Sequence, residues 1–230
     1  MEKMNGYGEI QFDENQMRVI QEGMEKGLDV SVYAKPEFGA DRMAEIKLGL
    51  EQGLEVSIYA KPEYNLECME EIRRGLEHGV DVSIYMKSKY DFMQMFYIRI
   101  GLEEGLDISY YAKPEYKWEQ MHEIEEGLRK DLDVSLYANL QFNHEQMRFI
   151  RVGLEKGLDV NVYADPRFDS LQMQQIGIGL EKGLDVSIYA KPEIHGYQME
   201  ELRIALETST EIDQNNFNSE DWEGDWDHEM

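Results

Sequence analysis

Seven tyrosines, Tyr33, Tyr59, Tyr85, Tyr111, Tyr137, Tyr163 and Tyr189, stand at a strict spacing of 26 residues, and Tyr7 extends the series one step toward the N-terminus. All five prolines (Pro36, Pro62, Pro114, Pro166, Pro192) fall three places after one of these tyrosines, and eight methionines from Met17 to Met199 hold another position of the same register. No insertion interrupts it. A unit of this length cannot bury its apolar face alone, so neighbouring units must stack into a solenoid. The chain is therefore read as seven full repeats with capping units. Its divisions are an N-terminal partial repeat at 1–11, a solenoid at 12–207 and a disordered acidic tail at 208–230.

Each unit opens as a helix opens. After a leading aromatic (Phe12, Phe38, Tyr64, Tyr90, Tyr116, Phe142, Phe168) comes Asp13, Asn65, Asp91, Asn143 or Asp169 in five copies. Three places on stands Gln16, Gln94, Gln120, Gln146, Gln172 or Gln198, which in several copies completes a capping box. The leading aromatic and the methionine within the helix match a hydrophobic staple. Met43, Ile46 and Leu50 then lie at i, i+3 and i+7, one apolar stripe, and Gly53 before Leu54 supplies a left-handed cap. A glycine also recurs inside the helix (Gly23, Gly49, Gly75, Gly101, Gly127, Gly153, Gly179), where it costs about 1 kcal/mol against alanine. Close helix–helix approach is the expected compensation, and the periodic tyrosines are expected to pack between neighbouring second helices.

The second half of the unit reads two ways. Leu54, Val56, Ile58 and Ala60 alternate as in a strand, which gives an α/β horseshoe. The same stretch, capped by Asp or Glu and stopped by Pro62, gives a short second helix and an all-α solenoid. The string YAKPEF…QM…I…GLE.GLDVS.YA resembles helical repeats in proteins of gut Firmicutes and their mobile elements, over residues 7–206. That resemblance implies the all-α reading and assigns no catalytic residues. By the same likeness the chain is similar in setting to anti-CRISPR and anti-restriction inhibitors.

Charge narrows the partners. The 48 acidic and 23 basic residues leave a formal net charge of −25, which repels nucleic acid and anionic membranes and attracts basic surfaces. No apolar run reaches the roughly 20 residues that span a bilayer, so the chain is expected to be cytoplasmic, in a bacterial host cell. The single Cys68 is read as a spectator thiol. The histidines (His78, His122, His144, His195, His228) share no ligand spacing, and no glycine-rich phosphate loop is present, so neither metal, cofactor nor catalysis is expected.

Three features are left as candidate partner sites. One ladder of acids, Asp29, Glu55, Asp81, Asp107, Asp133, Asp159 and Asp185, is read as the caps of the second helices. Another, Glu25, Glu51, Glu77, Glu103, Glu155 and Glu181, lies in the last turn of the first helices and draws a line of negative charge. In the fourth copy Met93, Phe96, Tyr97 and Ile100 form a second apolar stripe where siblings are mostly polar. It is an interface for a partner or a second copy unless the tail residues Trp222 and Trp226 cover it. Two functions follow. The first is a non-enzymatic inhibitor that imitates nucleic acid in the basic channel of a defence nuclease, through Glu51, Glu77, Glu103, Asp81 and Asp107. The alternative is a protein-binding scaffold that uses the fourth-copy stripe.

Overall fold

The computed structural model describes residues 12–86 and 89–220. Among them are eight α-helices, α1 (Glu14–Glu25), α2 (Ala40–Glu51), α3 (Leu66–His78), α4 (Phe92–Glu104), α5 (Trp118–Arg129), α6 (His144–Glu155), α7 (Ser170–Glu181) and α8 (Gly196–Glu220), with one three-residue 3-10 turn after each of the first seven. No strand occurs among the described residues, so the α/β horseshoe is excluded and the fold is an all-α repeat array. The chain forms two compact units that meet within α5, one running to Glu125 and the other starting at Glu126. In the first, α1 to α4 stack in sequence order; in the second, α6 to α8 do the same.

The expected second helix is a single 3-10 turn, Val56–Ile58 in the second repeat. Pro62 bars Lys61 from helical angles but does not set the length, since the turns Val82–Ile84 and Val134–Leu136 are as short although Ser88 and Leu140 stand at the proline position.

Capping boxes are complete at Asp13, Asp91, Asn143 and Asp169. The glutamine of the box has a second task that its spacing does not reveal. While the Gln94 carbonyl accepts from the Asp91 N–H at 2.9 Å, its amide donates to the carbonyl oxygens of Pro114 (3.2 Å) and Tyr116 (2.6 Å) in the next repeat. Gln16, Gln146 and Gln172 reach forward in the same way. One side chain thus caps its own helix and satisfies backbone acceptors of the neighbour, fixing the stacking register.

Met43, Ile46 and Tyr59 are fully buried, as expected, while Leu50 is only half-buried. The in-helix glycines have a cause different from the one anticipated. A Cβ on Gly75 would lie 1.9 Å from the Tyr85 hydroxyl oxygen, and the other six glycines of the series meet their own repeat's tyrosine at 1.9–2.0 Å. The tyrosine therefore packs on the helix of its own repeat and donates there to a main-chain carbonyl, Tyr85 to Glu71 at 3.1 Å. It joins helix to turn within one unit, a contact that the sequence reading, which set the tyrosines between neighbouring second helices, did not include. Burial pushes the Tyr163 and Tyr189 hydroxyls up to about 12.

Six of the helices close with a glycine at positive φ, such as Gly53 at 73°, with Leu54 N–H bonded to Gly49 O at 2.9 Å and Gly53 N–H to Leu50 O at 3.0 Å. In the fifth repeat the same place holds Asp131 at φ 55°. A left-handed conformation costs an L-residue about 1–2 kcal/mol, against about 0.4–1 kcal/mol that glycine adds to unfolded-chain entropy. Asp131→Gly is expected to stabilise the protein by about 0.5–1 kcal/mol, read as a higher denaturation midpoint at unchanged slope. A lower midpoint would show that the Asp131 side chain has a stabilising role of its own.

The final helix continues to Glu220, past the boundary drawn at residue 207. No glycine or proline stands between Ile204 and Gly224 to end it. The partial repeat at 1–11 and the tryptophans Trp222 and Trp226 lie outside the described residues.

Candidate partner-binding surfaces

The two acidic ladders have different fates. The first is a row of turn caps, as its spacing indicated, except at Glu55, whose side chain makes no cap hydrogen bond to the turn and accepts instead from the Ser57 hydroxyl at 3.3 Å. Asp81 accepts the Ser83 N–H at 3.0 Å, Asp107 that of Ser109 at 3.1 Å, and Asp29, Asp133, Asp159 and Asp185 repeat the contact. Each cap is exposed, and among the described residues none has a lysine or arginine within ion-pair distance. Hydrogen bonds from the Ser83 hydroxyl and backbone hold the Asp81 carboxyl below the usual range, and Ser109 and Ser187 do so for Asp107 and Asp185. The Asp81, Asp107 and Asp185 carboxylates are held in place, uncompensated, and ionised throughout the physiological range.

The second ladder is largely neutralised. Glu51 pairs with Lys26 (2.9 Å) and Lys47 (3.9 Å), Glu77 with Arg73 (2.9 Å), and Glu103 with Arg99 (2.6 Å) and His78 (2.7 Å). In the second unit Glu155 takes Lys130 (2.9 Å) and Arg151, Glu181 takes Lys156, and Glu207 takes Lys182 (2.8 Å) and Arg203. Burial pushes the Glu103 carboxyl up, but hydrogen bonds from Arg99 and His78 outweigh it and hold the carboxyl below its ordinary value. The line of negative charge read from Glu51, Glu77 and Glu103 is thus ion-paired and tied to the preceding repeat, by Lys26 at Glu51, by the Gln52 amide at Glu77 and by His78 at Glu103.

Beside that seam lies a layer of charged residues that the sequence analysis did not single out. Glu45, Glu71, Arg73 and Arg99 are all buried. Arg73 Nε donates to Glu45 at 2.5 Å and Arg99 Nε to Glu71 at 2.7 Å, each reaching back 28 residues to the preceding helix, while the rest of each guanidinium holds the glutamate one turn on in its own helix. Arg203 repeats the arrangement with Gln175 (2.9 Å) and Glu207. A separation of 28 is neither a helical nor a strand period, so inspection of single units does not show it.

The layer lapses at two places. Where a Glu–Arg pair is due, the register holds Tyr97 with Glu125, and Phe149 with Gly177. At the first lapse Tyr97 stacks parallel on Trp118 with ring centroids 6.1 Å apart, Phe96 meets Tyr97 edge-on at 5.2 Å, and the Arg99 guanidinium lies 5.4 Å from the Phe96 ring. Met93, Phe96, Tyr97 and Ile100 are each half-buried, whereas Phe92 and Trp118 are 41% and 36% exposed. The structure brings the predicted stripe together and adds Phe92 and Trp118, which the sequence reading missed because they occupy the variable first position of the helix.

Chemistry-bearing groups are few. Burial, followed by nearby Glu67, Asp91 and Glu71, pushes the Cys68 thiol up to about 11, so little thiolate forms at neutral pH. His122, Glu125 and Glu126 bring one donor atom each within 4.8 Å, a proximity that i, i+3, i+4 spacing on one helix produces by itself. No family model, curated protein or solved structure matches the chain.

Proposed function

We propose that the chain is a non-enzymatic binding protein that sets an acidic edge against the basic, nucleic-acid-binding channel of a defence nuclease. The observation that supports this reading is the cap series: one exposed carboxylate per repeat, hydrogen-bonded into a fixed position and free of any paired cation. Within a unit, stacked helices set such charges about 8–10 Å apart, close to the Debye length of about 8 Å at physiological ionic strength. Fixed charges need no ordering on binding, so they act at full strength against a rigid basic channel.

The test uses DNA cleavage by a set of purified restriction and RNA-guided nucleases. Inhibition of at least one is expected, and it should weaken as salt rises from 0.1 M to 1 M and the Debye length shrinks from about 10 Å to about 3 Å. Asp81→Asn with Asp107→Asn keeps both caps, because asparagine caps as well as aspartate, and should weaken inhibition by about tenfold, equivalent to about 1.4 kcal/mol. Stability should hardly change. Glu51→Gln, Glu77→Gln and Glu103→Gln should instead lower stability, since those charges are engaged between repeats.

A second reading rests on the exposed rings of Phe92 and Trp118 beside the Tyr97 stack. If binding is indifferent to salt and to the two asparagine substitutions yet is lost in Phe96→Glu with Tyr97→Glu, the chain is a scaffold that binds through its fourth repeat.

A further inference from the structure

We infer that the gap between α6 and α7 is an arginine socket, which takes an arginine side chain presented by a basic partner protein. In sibling repeats an arginine fills the corresponding place. At this register Arg73, Arg99, Arg151 and Arg203 project from their helices, and each ends on a glutamate four residues further along its own helix: Glu77, Glu103, Glu155 and Glu207. In the seventh repeat the arginine position is Gly177, while the glutamate is retained as Glu181.

The space is left open. A Cβ on Gly177 would find only the Tyr163 hydroxyl, at 3.9 Å. A cavity of about 180 Å³ occupies the gap, lined among others by Phe149, Gly153, Tyr163, Gln174, Gly177 and Glu181. An enclosed volume of about 150 Å³ accepts a benzene ring, so this one suits a planar group of that size.

The lining selects among planar groups. Phe149 stands where Glu45 and Glu71 stand in the sibling pairs, and replaces a carboxylate by an aromatic face. The guanidinium is planar and weakly hydrated, and it stacks on aromatic rings while its edge meets a carboxylate; an ammonium does neither as well. This chain already packs guanidinium over phenyl, with Arg42 5.3 Å from the Phe38 ring and Arg99 5.4 Å from Phe96. Glu181 already holds Lys156, and that does not block a second cation, because Glu155 holds both Lys130 and Arg151 and Glu207 both Lys182 and Arg203. An aromatic wall, a carboxylate at the rim and a cavity of the right size together reproduce the seat of an arginine that this repeat lacks.

The socket deepens the reading of a basic partner and rests on it only for the source of the arginine. The experiment isolates the pocket. Isotope-labelled full-length protein is titrated with N-acetyl-arginine amide, N-acetyl-lysine amide and N-acetyl-leucine amide while backbone amide signals are followed by NMR. Saturable shifts at Gly153, Gly177 and Glu181 are expected with the arginine compound, at several-fold lower concentration than with either control. Gly177→Arg, which supplies the missing side chain in cis, should abolish them, and Glu181→Gln, which leaves the cavity intact, should weaken the response several-fold. Shifts spread over the exposed carboxylates and equal for lysine would overturn the proposal, as would an equal response to leucine, persistence in Gly177→Arg, or no saturable shift. The cleavage assay decides the partner separately, since it reads the Asp81 and Asp107 edge and not this cavity.

Discussion

Gly75→Ala is expected to destabilise the protein by about 2–4 kcal/mol, although alanine is the better helix former by about 1 kcal/mol. The new Cβ would fall 1.9 Å from the Tyr85 hydroxyl oxygen and 2.8 Å from Val82 Cγ1. Neither neighbour can step aside, because Tyr85 is fully buried and Val82 belongs to the same short turn. Overpacking a well-filled core costs about 1–3 kcal/mol, and expelling a large aromatic about 3–5 kcal/mol, so the outcome lies where these two responses compete. For a chain of this length that corresponds to a fall in melting temperature of about 4–16 °C. Tyr85→Phe alone should cost only about 0.5–1.5 kcal/mol, the worth of its hydrogen bond to Glu71 O. The double variant should be less damaged than the sum, because removing the hydroxyl removes the closest contact and leaves the Cζ atom at 3.2 Å. Strict additivity in denaturant unfolding would show that the glycine is there for another reason. The sequence itself carries a control: the eighth copy has Ala205 at the glycine position and Asn215, not tyrosine, ten residues later.

That pairing of glycine with tyrosine shows what could be read in advance and what could not. Local features were legible. Caps, the Met43 and Ile46 stripe and the left-handed Gly53 each depend on residues within one turn of one another, and sequence spacing encodes such relations directly. Relations between repeats were not legible, because they link positions 22, 25 or 28 residues apart and no secondary-structure period marks those distances. For the same reason Gln94 looked like a local cap when it also clamps Tyr116, and Glu51 looked like a free surface charge when it pairs with Lys26. Burial misled in the same direction. Glu71 and Arg99, charged residues to which the sequence reading gave no role in the core, together are a buried pair. Of the candidate surfaces, Asp81 and Asp107 are turn caps, as their spacing indicated, and the rings of Phe96 and Tyr97 meet each other and Trp118. The α6–α7 gap escaped notice because it consists of a residue that is missing, which becomes visible only once its siblings are seen in place.

Arg99→Met is expected to cost about 3–5 kcal/mol, the usual penalty for leaving one member of a buried ion pair without the other. Arg99 is the best-enclosed cation of the series, with its side chain 4% exposed and its guanidinium divided between Glu71 and Glu103. Removing it strands Glu71, itself 8% exposed, beside a second carboxylate. Arg74 offers Glu71 a contact at 3.4 Å, but from a side chain that is 44% exposed and largely screened, so it cannot take over the role. The combination of Arg99→Met with Glu71→Leu should recover most of the loss, since well-packed apolar residues replace buried ion pairs at little cost. Because stacked repeats interact mainly with their nearest neighbours, the damage in Arg99→Met should appear as faster amide hydrogen exchange in α3 and α4 before α1. If the double variant proved as unstable as the single one, the layer would be holding the repeats in register through the specific geometry of its hydrogen bonds. If it recovers, the pair is exchangeable for packing, and its two lapses, at Tyr97 and at Gly177, are positions the fold can spare for binding.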